Sequence, residues 1–143
     1  MLDNIFGIAG TALNAQLTRM NTTASNLANA GTVASTEQDA FRAKRPIFKT
    51  LVDSMMPNQP AVAQDTKGGV LVEKLIDDKA PVRKQFDPGS PLADKDGFIY
   101  QSNVNEVSEM VEMMAAARSY QNNVETVNTA KMLMMRTLDV MKT

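Results

Sequence analysis

The stretch EMVEMMAAARSYQNNVETVNTAKMLMMRTLDVM, residues 109–141, decides the fold, because apolar residues recur along it at alternating spacings of three and four. This spacing is typical of a helix that packs along its length against another helix. No Gly or Pro occurs after Gly97, so the helix is predicted from about Val104 to Met141, or ~55 Å. Lys131 interrupts an apolar stripe that consists of Met110, Met113, Ala117, Tyr120, Val124, Val127, Met134, Leu138 and Met141.

The N-terminal segment carries a second stripe with the same period. About 27 helical residues would span ~40 Å, and Gly31 is a plausible stop signal after Asn29. Two long stripes at opposite ends of one chain predict that the termini pair as an antiparallel coiled coil. Phe6, Leu13, Met20 and Leu27 recur every seven residues in this second stripe, with Gly10, Leu17 and Ala24 between them.

The middle of the chain differs in composition from both ends, because all six Pro lie between Pro46 and Pro91. Strands are predicted at 45–52 and 69–76, with shorter candidates at 84–88 and 97–101, and loops at 55–69 and 87–97. A hairpin or small β patch is expected there. The predicted fold is therefore mainly α, with long terminal helices at 1–31 and 103–143 and a short β or irregular middle at 32–102.

Composition excludes several classes of function. The chain has 143 residues, which suits one domain or one domain plus extensions, and its net charge of −1 does not suggest a nucleic-acid-binding surface. It has no His and no Cys, so imidazole bases, thiol nucleophiles, Cys or His zinc sites and disulfides are excluded. No secretory signal and no apolar run of ~18 residues is visible. The sequence thus predicts a protein that stays in the cytosol or leaves it without a cleaved signal.

Three patterns could carry chemistry, and each has a simpler interpretation. Two carboxylates from the stripe Glu106, Glu109 and Glu112 could form an acid–base pair, but acidic residues also favour the first turns of a helix. Ser25 has no His to activate it. In ADKDG, residues 93–97, a calcium loop would need oxygen ligands where Leu92 stands, so an Asp-Gly turn is expected. We therefore predict no catalytic residue, metal ligand or cofactor.

Two features predict assembly instead. Arg19 is the only ionisable side chain from Asn4 to Thr36, and Met132–Met135 are four consecutive apolar residues that point all round a helix. Burial against other chains would explain both, although Met could simply fill an internal core. The candidate assembly residues are Phe6, Leu13, Leu17, Met20, Ala24, Asn26, Leu27, Asn29, Met110, Met113, Ala117, Tyr120, Val124, Val127, Met132, Met134, Met135 and Leu138.

Several motifs resemble those of bacterial flagellar rod and hook proteins. ASNLANA at 24–30 resembles their N-terminal signature, and residues 103–138 resemble their C-terminal helix, in which an E-M-V run precedes R-x-Y and N-V. FRAKRPIF at 41–48 and FDPGSPLADKDGFI at 86–99 resemble a subunit of the proximal rod. The family's more general T-P-G-Y tail is absent, and GTVASTEQDAFRA stands in its place.

The resemblance implies a structural role rather than catalysis. Such subunits build the basal-body rod, which crosses the periplasm and transmits torque, and their terminal helices form an inner tube. It implies export through the flagellar type III apparatus without a cleaved signal peptide. The implied partners are copies of the chain, other proximal and distal rod subunits and a rotor membrane-ring adaptor, with no nucleic acid and no membrane insertion.

Two other interpretations stay open at this point. A cytosolic helical-hairpin adaptor or export chaperone would share the two stripes but would fold alone. Another flagellar axial subunit would share the terminal motifs but not FDPGSPLADKDGF. A further hypothesis holds that an uncharged inner wall, including Asn26 and Asn29, lets unfolded cargo slide past.

Overall fold

The computed structural model describes residues 2–51 and 68–141 of the chain and contains two long helices with short strands between them. The long helices agree with the predicted mainly α fold, and the strands agree with the predicted small β region. The elements are α1 (Leu2–Ala28), β1 (Val33–Ala34), β2 (Lys44–Thr50), β3 (Val70–Asp77), β4 (Arg83–Phe86), β5 (Phe98–Gln101) and α2 (Glu106–Met141).

The strands form two small antiparallel sheets. β2 and β3 make a two-stranded ribbon whose register runs from Lys44 opposite Asp77 to Thr50 opposite Val70, with an irregularity between Ile47 and Phe48. β5 lies between β1 and β4 in the second sheet. The four longer strands confirm the predicted strands in the described part of the chain, whereas the two-residue β1 is too short to leave a sequence pattern. The predicted loop at 55–69 lies outside the described residues except at its last two positions.

Side-chain hydrogen bonds mark the end of α1 and the start of α2, the two helix ends that adjoin the middle of the chain in sequence. Asn105 precedes α2, and its Oδ1 accepts the N–H of Ser108 at 3.1 Å, which is N-cap geometry. α1 ends at Ala28, where Asn29 Nδ2 donates to the Ser25 carbonyl and Thr32 Oγ1 donates to the Asn29 carbonyl. Gly31 does not have the positive φ of a left-handed cap. The last carbonyls of α1 instead accept the Asn29 side chain and the backbone N–H groups of residues 29 and 30.

The two helices contact each other in opposite order along the chain. Asn26, near the end of α1, contacts Glu109, near the start of α2. Ile5, at the other end of α1, lines one groove together with Ala130 and Leu133. The helices are therefore antiparallel neighbours, while the supercoil that the stripes predict stays a prediction.

Half of the predicted α2 stripe lies on the face that is covered within the chain. At the other positions, the covered residue comes one place earlier in the sequence than the predicted one. Met113, Tyr120, Val127 and Met134 are half-buried, as their place in the stripe predicts. At the alternate positions, however, Ala116 and Ala130 are buried, whereas Val124 and Lys131 are exposed. Small residues at these positions allow the helices to approach closely. Lys131 does not interrupt the contact, because it lies outside the covered face.

The predicted stripe of α1 is also rotated relative to the observed contact. Gly10, Leu17 and Ala24 are exposed, so the prediction that they face α2 is wrong. Phe6, Leu13, Met20 and Leu27 are half-buried at the border of the contact. The buried positions are small or polar, and they are Ala9, Ala15, Thr22, Thr23 and Asn26.

Candidate assembly interface

Asn26, from the ASNLANA motif, ties α1 to the ribbon and to α2. Its side chain is fully buried, its Oδ1 accepts the backbone N–H of Lys44 at 2.8 Å, and its Nδ2 donates to the Lys44 carbonyl at 3.0 Å. The same Nδ2 donates to Glu109 Oε2 at 3.0 Å. One amide thus pairs with both backbone groups of Lys44, as a neighbouring strand would, and the buried polar atoms of Asn26 all have partners.

Glu109 is a buried carboxylate at the place where Asn26 meets the ribbon and α2, which we call the junction. Its other oxygen, Oε1, lies 2.7 Å from Arg45 Nη1, which makes an ion pair, although no N–H is well aligned with that oxygen. Arg45 also contacts Asp78 at the end of the ribbon, at 3.5 Å. A buried charge is tolerated only when it is paired and hydrogen-bonded, so Glu109, Arg45 and Asn26 depend on one another.

Asn103 joins the segment before α2 to the same junction. Its Oδ1 accepts the N–H of Ala43 at 2.7 Å, and its Nδ2 donates to the Ala80 carbonyl at 2.9 Å. The motifs at 24–30, 41–48 and 103–138 therefore meet in space at a polar junction. Sequence reasoning assigned Glu109 to the helix dipole and did not predict its contacts with Asn26 and Arg45, which no spacing rule gives.

A second ion pair joins the helices further along. Arg19 contacts Glu112, and both side chains are about one-third exposed. Arg19 is the only ionisable side chain between Asn4 and Thr36, so this pairing leaves the remainder of the described α1 surface uncharged from Asn4 onward. Pairs this exposed contribute little stability, about 0–1 kcal/mol, but this one turns the only charge of α1 from Asn4 onward toward α2.

The far end of the ribbon is attached to α1 by Thr11. Its Oγ1 accepts the N–H of Val70 at 3.2 Å and donates to the Ile8 carbonyl at 2.7 Å. Gly69 has a φ of 131°, and a Cβ there would lie only 2.6 Å from the Thr11 hydroxyl. Gly69 is therefore required by both backbone conformation and close packing.

The predicted assembly residues divide into exposed and covered groups. Asn26 is buried within its own chain, so it is unavailable to a neighbour, and the hypothesis that it lines an inner wall is wrong. Asn29, Met113, Ala117, Tyr120, Val127 and Met134 are half-buried, like the α1 border residues. The clearly exposed predicted residues are Leu17, Ala24, Met110, Val124, Met132, Met135 and Leu138.

Three exposed apolar residues near the start of α2 were not predicted as assembly residues. Val107, Val111 and Met114 are 68%, 56% and 64% exposed. They repeat at spacings of four and three, which is itself a sequence signal for an apolar helix face. The predicted stripe instead consists of residues at neighbouring positions. Together with Met110 they form an apolar surface that the described part of the chain leaves open.

The ADKDG segment folds as a tight turn. Asp94 Oδ1 accepts the N–H of Phe98 at 2.8 Å and that of Asp96 at 2.9 Å, and Gly97 has a φ of 79°. The hydrogen bond from Phe98 is the largest cause that holds the pKa of the Asp94 carboxyl below its ordinary value of 3.8. The Asp94 carboxylate thus serves the turn.

Two features of the described residues bear on other kinds of site. Within 2–51 and 68–141, no group of three or more acidic, His or Cys side chains is placed to hold a metal ion. In the same ranges neither long helix has a stretch apolar enough to cross a membrane.

Comparison with known proteins identifies the class. Residues 6–33 match the family model described as flagella basal body rod protein, and residues 95–140 match that of the flagellar basal body rod FlgEFG protein C-terminal region. These matches cover most of α1 and nearly all of α2, the two helices that meet at the junction. The class is thus that of the flagellar rod proteins.

Full-length relatives narrow the class further. The chain is 48% identical over 135 residues to flagellar basal-body rod protein FlgC of Yersinia enterocolitica, covering 94% of each chain. It is 47% identical to FlgC of Salmonella typhimurium, again over 94% of each chain, and 41% identical to FlgC of Buchnera aphidicola from Acyrthosiphon pisum, over 96% of each. The chain belongs to the FlgC family of flagellar basal-body rod proteins.

Proposed function

We propose that this chain is a structural subunit of the flagellar basal-body rod that polymerises through α1 and α2. Its family gives the structural rod role, since the relatives that it matches over nearly their whole length are rod proteins. The finer proposal is that the subunit belongs to the proximal rod and helps to transmit torque across the periplasm. Copies of the chain, other rod subunits and the rotor membrane-ring adaptor would be its neighbours.

One observation carries the assembly proposal. α2 has 36 residues and α1 has 27, and Ile5 near the start of α1 already shares a groove with residues between Asn122 and Leu133 of α2. The last turns of α2 therefore extend beyond α1. Met135, Leu138 and Met141 on this extension are 58%, 55% and 78% exposed. Apolar side chains on several sides of one helix need more than one neighbour.

The interior of the chain supports the same proposal. The largest fully buried side chains among the described residues are Glu109, Asn26 and Ser102, and the buried apolar residues are mostly Ala. Large apolar side chains lie mainly on the outside, the reverse of a stable monomer of this size. We propose that residues 1–31 and 103–143 form the inner-tube coiled coil of the rod and that residues 32–102 lie outside it.

The route to the rod is part of the proposal. Export through the flagellar type III apparatus without a cleaved signal fits a chain that has no Cys, because thiols could cross-link in an oxidising periplasm. No catalytic role is proposed, since Glu109 and Glu112 pair with Arg45 and Arg19.

A substitution at Leu138 tests the assembly proposal. Leu138→Asp should abolish motility while leaving expression and the helix content of purified protein unchanged, because an unpaired carboxylate buried by neighbours costs several kcal/mol. Leu138→Met is the matched control and should swim. Normal swimming of Leu138→Asp would contradict burial of this helix end in the rod.

Hydrogen exchange separates the rod subunit from a cytosolic adaptor. In dilute monomer the amides of the terminal helices should exchange quickly, at the end of α2 above all, and in purified basal bodies they should become the most protected of the chain. An adaptor that folds alone would instead show strong protection of both helices in dilute solution.

A further inference from the structure

The first two turns of α2 carry a compact apolar surface, which we call the outer stripe: Val107, Met110, Val111 and Met114. These side chains are 45–68% exposed. At 100° per residue, they lie roughly opposite to Glu109 and Ala116, which face the inside of the chain. The outer stripe therefore points away from α1 of the same chain.

α1 has a matching surface at the same height, which we call the outer face: Leu17, Asn21, Ala24 and Ala28. All four are exposed and follow spacings of four, three and four. They lie opposite to the buried Thr22 and Asn26, so the outer face points away from α2. Its side chains are small or uncharged, and Arg19, the only charge nearby, is turned toward Glu112.

The heights of the two surfaces agree because the in-chain contacts fix them. Asn26 meets Glu109 and Arg19 meets Glu112, so residues 17–28 of α1 lie level with residues 107–114 of α2. The surfaces point in opposite directions and cannot meet within one chain. When helix pairs stand side by side at equal height, each outer stripe meets the outer face of the next pair.

Charge favours the outer face of α1, over the other exposed surfaces of the chain, as the surface that covers the outer stripe. The ribbon carries Lys49, Glu73 and Lys74 among its exposed residues, and the last turns of α2 carry Arg136. Covering the outer stripe with either would remove charge from water without a partner. The outer face of α1 removes none, and its small Ala24 and Ala28 leave room for Val111 and Met114.

We propose that the outer stripe of α2 docks the N-terminal helix of an adjacent rod subunit, on the small uncharged face that α1 shows in this chain. This inference rests on the proposed function and continues the in-chain α1–α2 contact from one subunit to the next. The two partners use different surfaces, so the contact is heterologous and each subunit keeps one free surface for the next. Such contacts extend an assembly rather than closing it as a dimer.

Site-specific photocrosslinking in assembled basal bodies tests the proposal. A benzophenone amino acid at Val111 should capture a neighbouring rod subunit, and peptide mass spectrometry should place the crosslink in the N-terminal helix of that subunit. Ser108 is the matched control, because it lies at the same height but lines the groove between Arg45 and Glu112. Capture on a β segment or a C-terminal helix, equal capture from Ser108, or no capture from Val111 would overturn the proposal.

A point substitution gives an independent measurement. Val111→Lys leaves the fold intact because Val111 is 56% exposed, and circular dichroism checks this. Its incorporation into basal bodies should fall at least ~tenfold relative to Val111→Ile, the equivalent of ~1.4 kcal/mol. Equal incorporation of the two variants would overturn the docking surface alone. Absence of the Val111→Ile protein from basal bodies would instead contradict the proposed function.

Discussion

At the scale of single residues, the junction depends on side chains that pair with several elements at once. Asn26 pairs with both backbone groups of Lys44 and with Glu109, and Glu109 also contacts Arg45. Helix α1, helix α2 and the ribbon are therefore linked through one buried amide. Removing one member of such a set leaves the others desolvated without partners.

Asn26→Asp should destabilise the chain strongly. The substitution removes the Nδ2 donor and places a second carboxylate about 3 Å from that of Glu109, so the expected loss is about 3–5 kcal/mol of unfolding free energy. Urea denaturation of the purified protein measures it. Asn29→Asp is the control, since the Asn29 side chain donates only to the local Ser25 carbonyl. Equal stability of the two variants would contradict the junction.

Asp94 should give the turn at 94–98 a pH dependence in acid. Its folded pKa is lowered, so the carboxylate stabilises the turn above the ordinary value of 3.8, and this contribution is lost as pH falls through the lowered value. An NMR titration of the Asp94 carboxyl should have its midpoint below 3.8. In Asp94→Asn the chemical shifts of Phe98 should no longer move with pH in this range. A midpoint at or above 3.8 would contradict the hydrogen bonds described.

At the scale of elements, periodicity predicted the helices but only half of their contact faces. Met113, Tyr120, Val127 and Met134 were placed correctly, because both possible stripes share them. The alternate positions were misplaced because the sequence pattern favours large apolar residues such as Val124, whereas the close helix contact uses Ala116 and Ala130. Which side of a helix meets its partner depends on the distance between the helices and on the side-chain volumes at the contact. The periodicity of the sequence gives neither quantity.

Substitutions at two adjacent alanines test which face of α2 contacts α1. Ala116→Leu should cost about 1–3 kcal/mol of unfolding free energy, because Ala116 is fully buried and three extra carbons must displace α1. Ala117→Leu is the control, since the neighbouring position is half-buried and can turn the larger side chain outward. Thermal and urea unfolding measure both. A larger effect at Ala117 would restore the stripe that the sequence predicts.

The junction was hidden from sequence reasoning for a different reason. Asn26, Arg45 and Glu109 are far apart in the chain, and each has an ordinary local explanation as an uncharged helix residue, a strand residue or a helix-dipole residue. Their polar contacts are set by where the start of β2 meets the end of α1 and the start of α2. The strands themselves were predictable, because the runs at 45–52 and 69–76 have β-branched and aromatic residues bounded by turn signals.

At the scale of the whole molecule, the connection between β2 and β3 is the part most open to shortening. Deleting Pro57–Thr66 should preserve motility, because Leu51 N donates to the Gly69 carbonyl at 2.9 Å and so closes the ribbon on the near side of the deletion. Loop length itself has a weak effect on stability. Swimming speed and rod yield measure the outcome. Loss of rod assembly as complete as in Leu138→Asp would make this segment a contact surface.

The ribbon is fixed to α1 at two places, through Asn26 at one end and Thr11 at the other, ~22 Å apart along the helix axis. A strand pair held at a single point could pivot, whereas one held at two points acts as a splint. Bending α1 between these points requires the ribbon to stretch or to break a hydrogen bond at one end. A shaft built from such subunits gains bending stiffness from each ribbon as well as from the contacts between its helices.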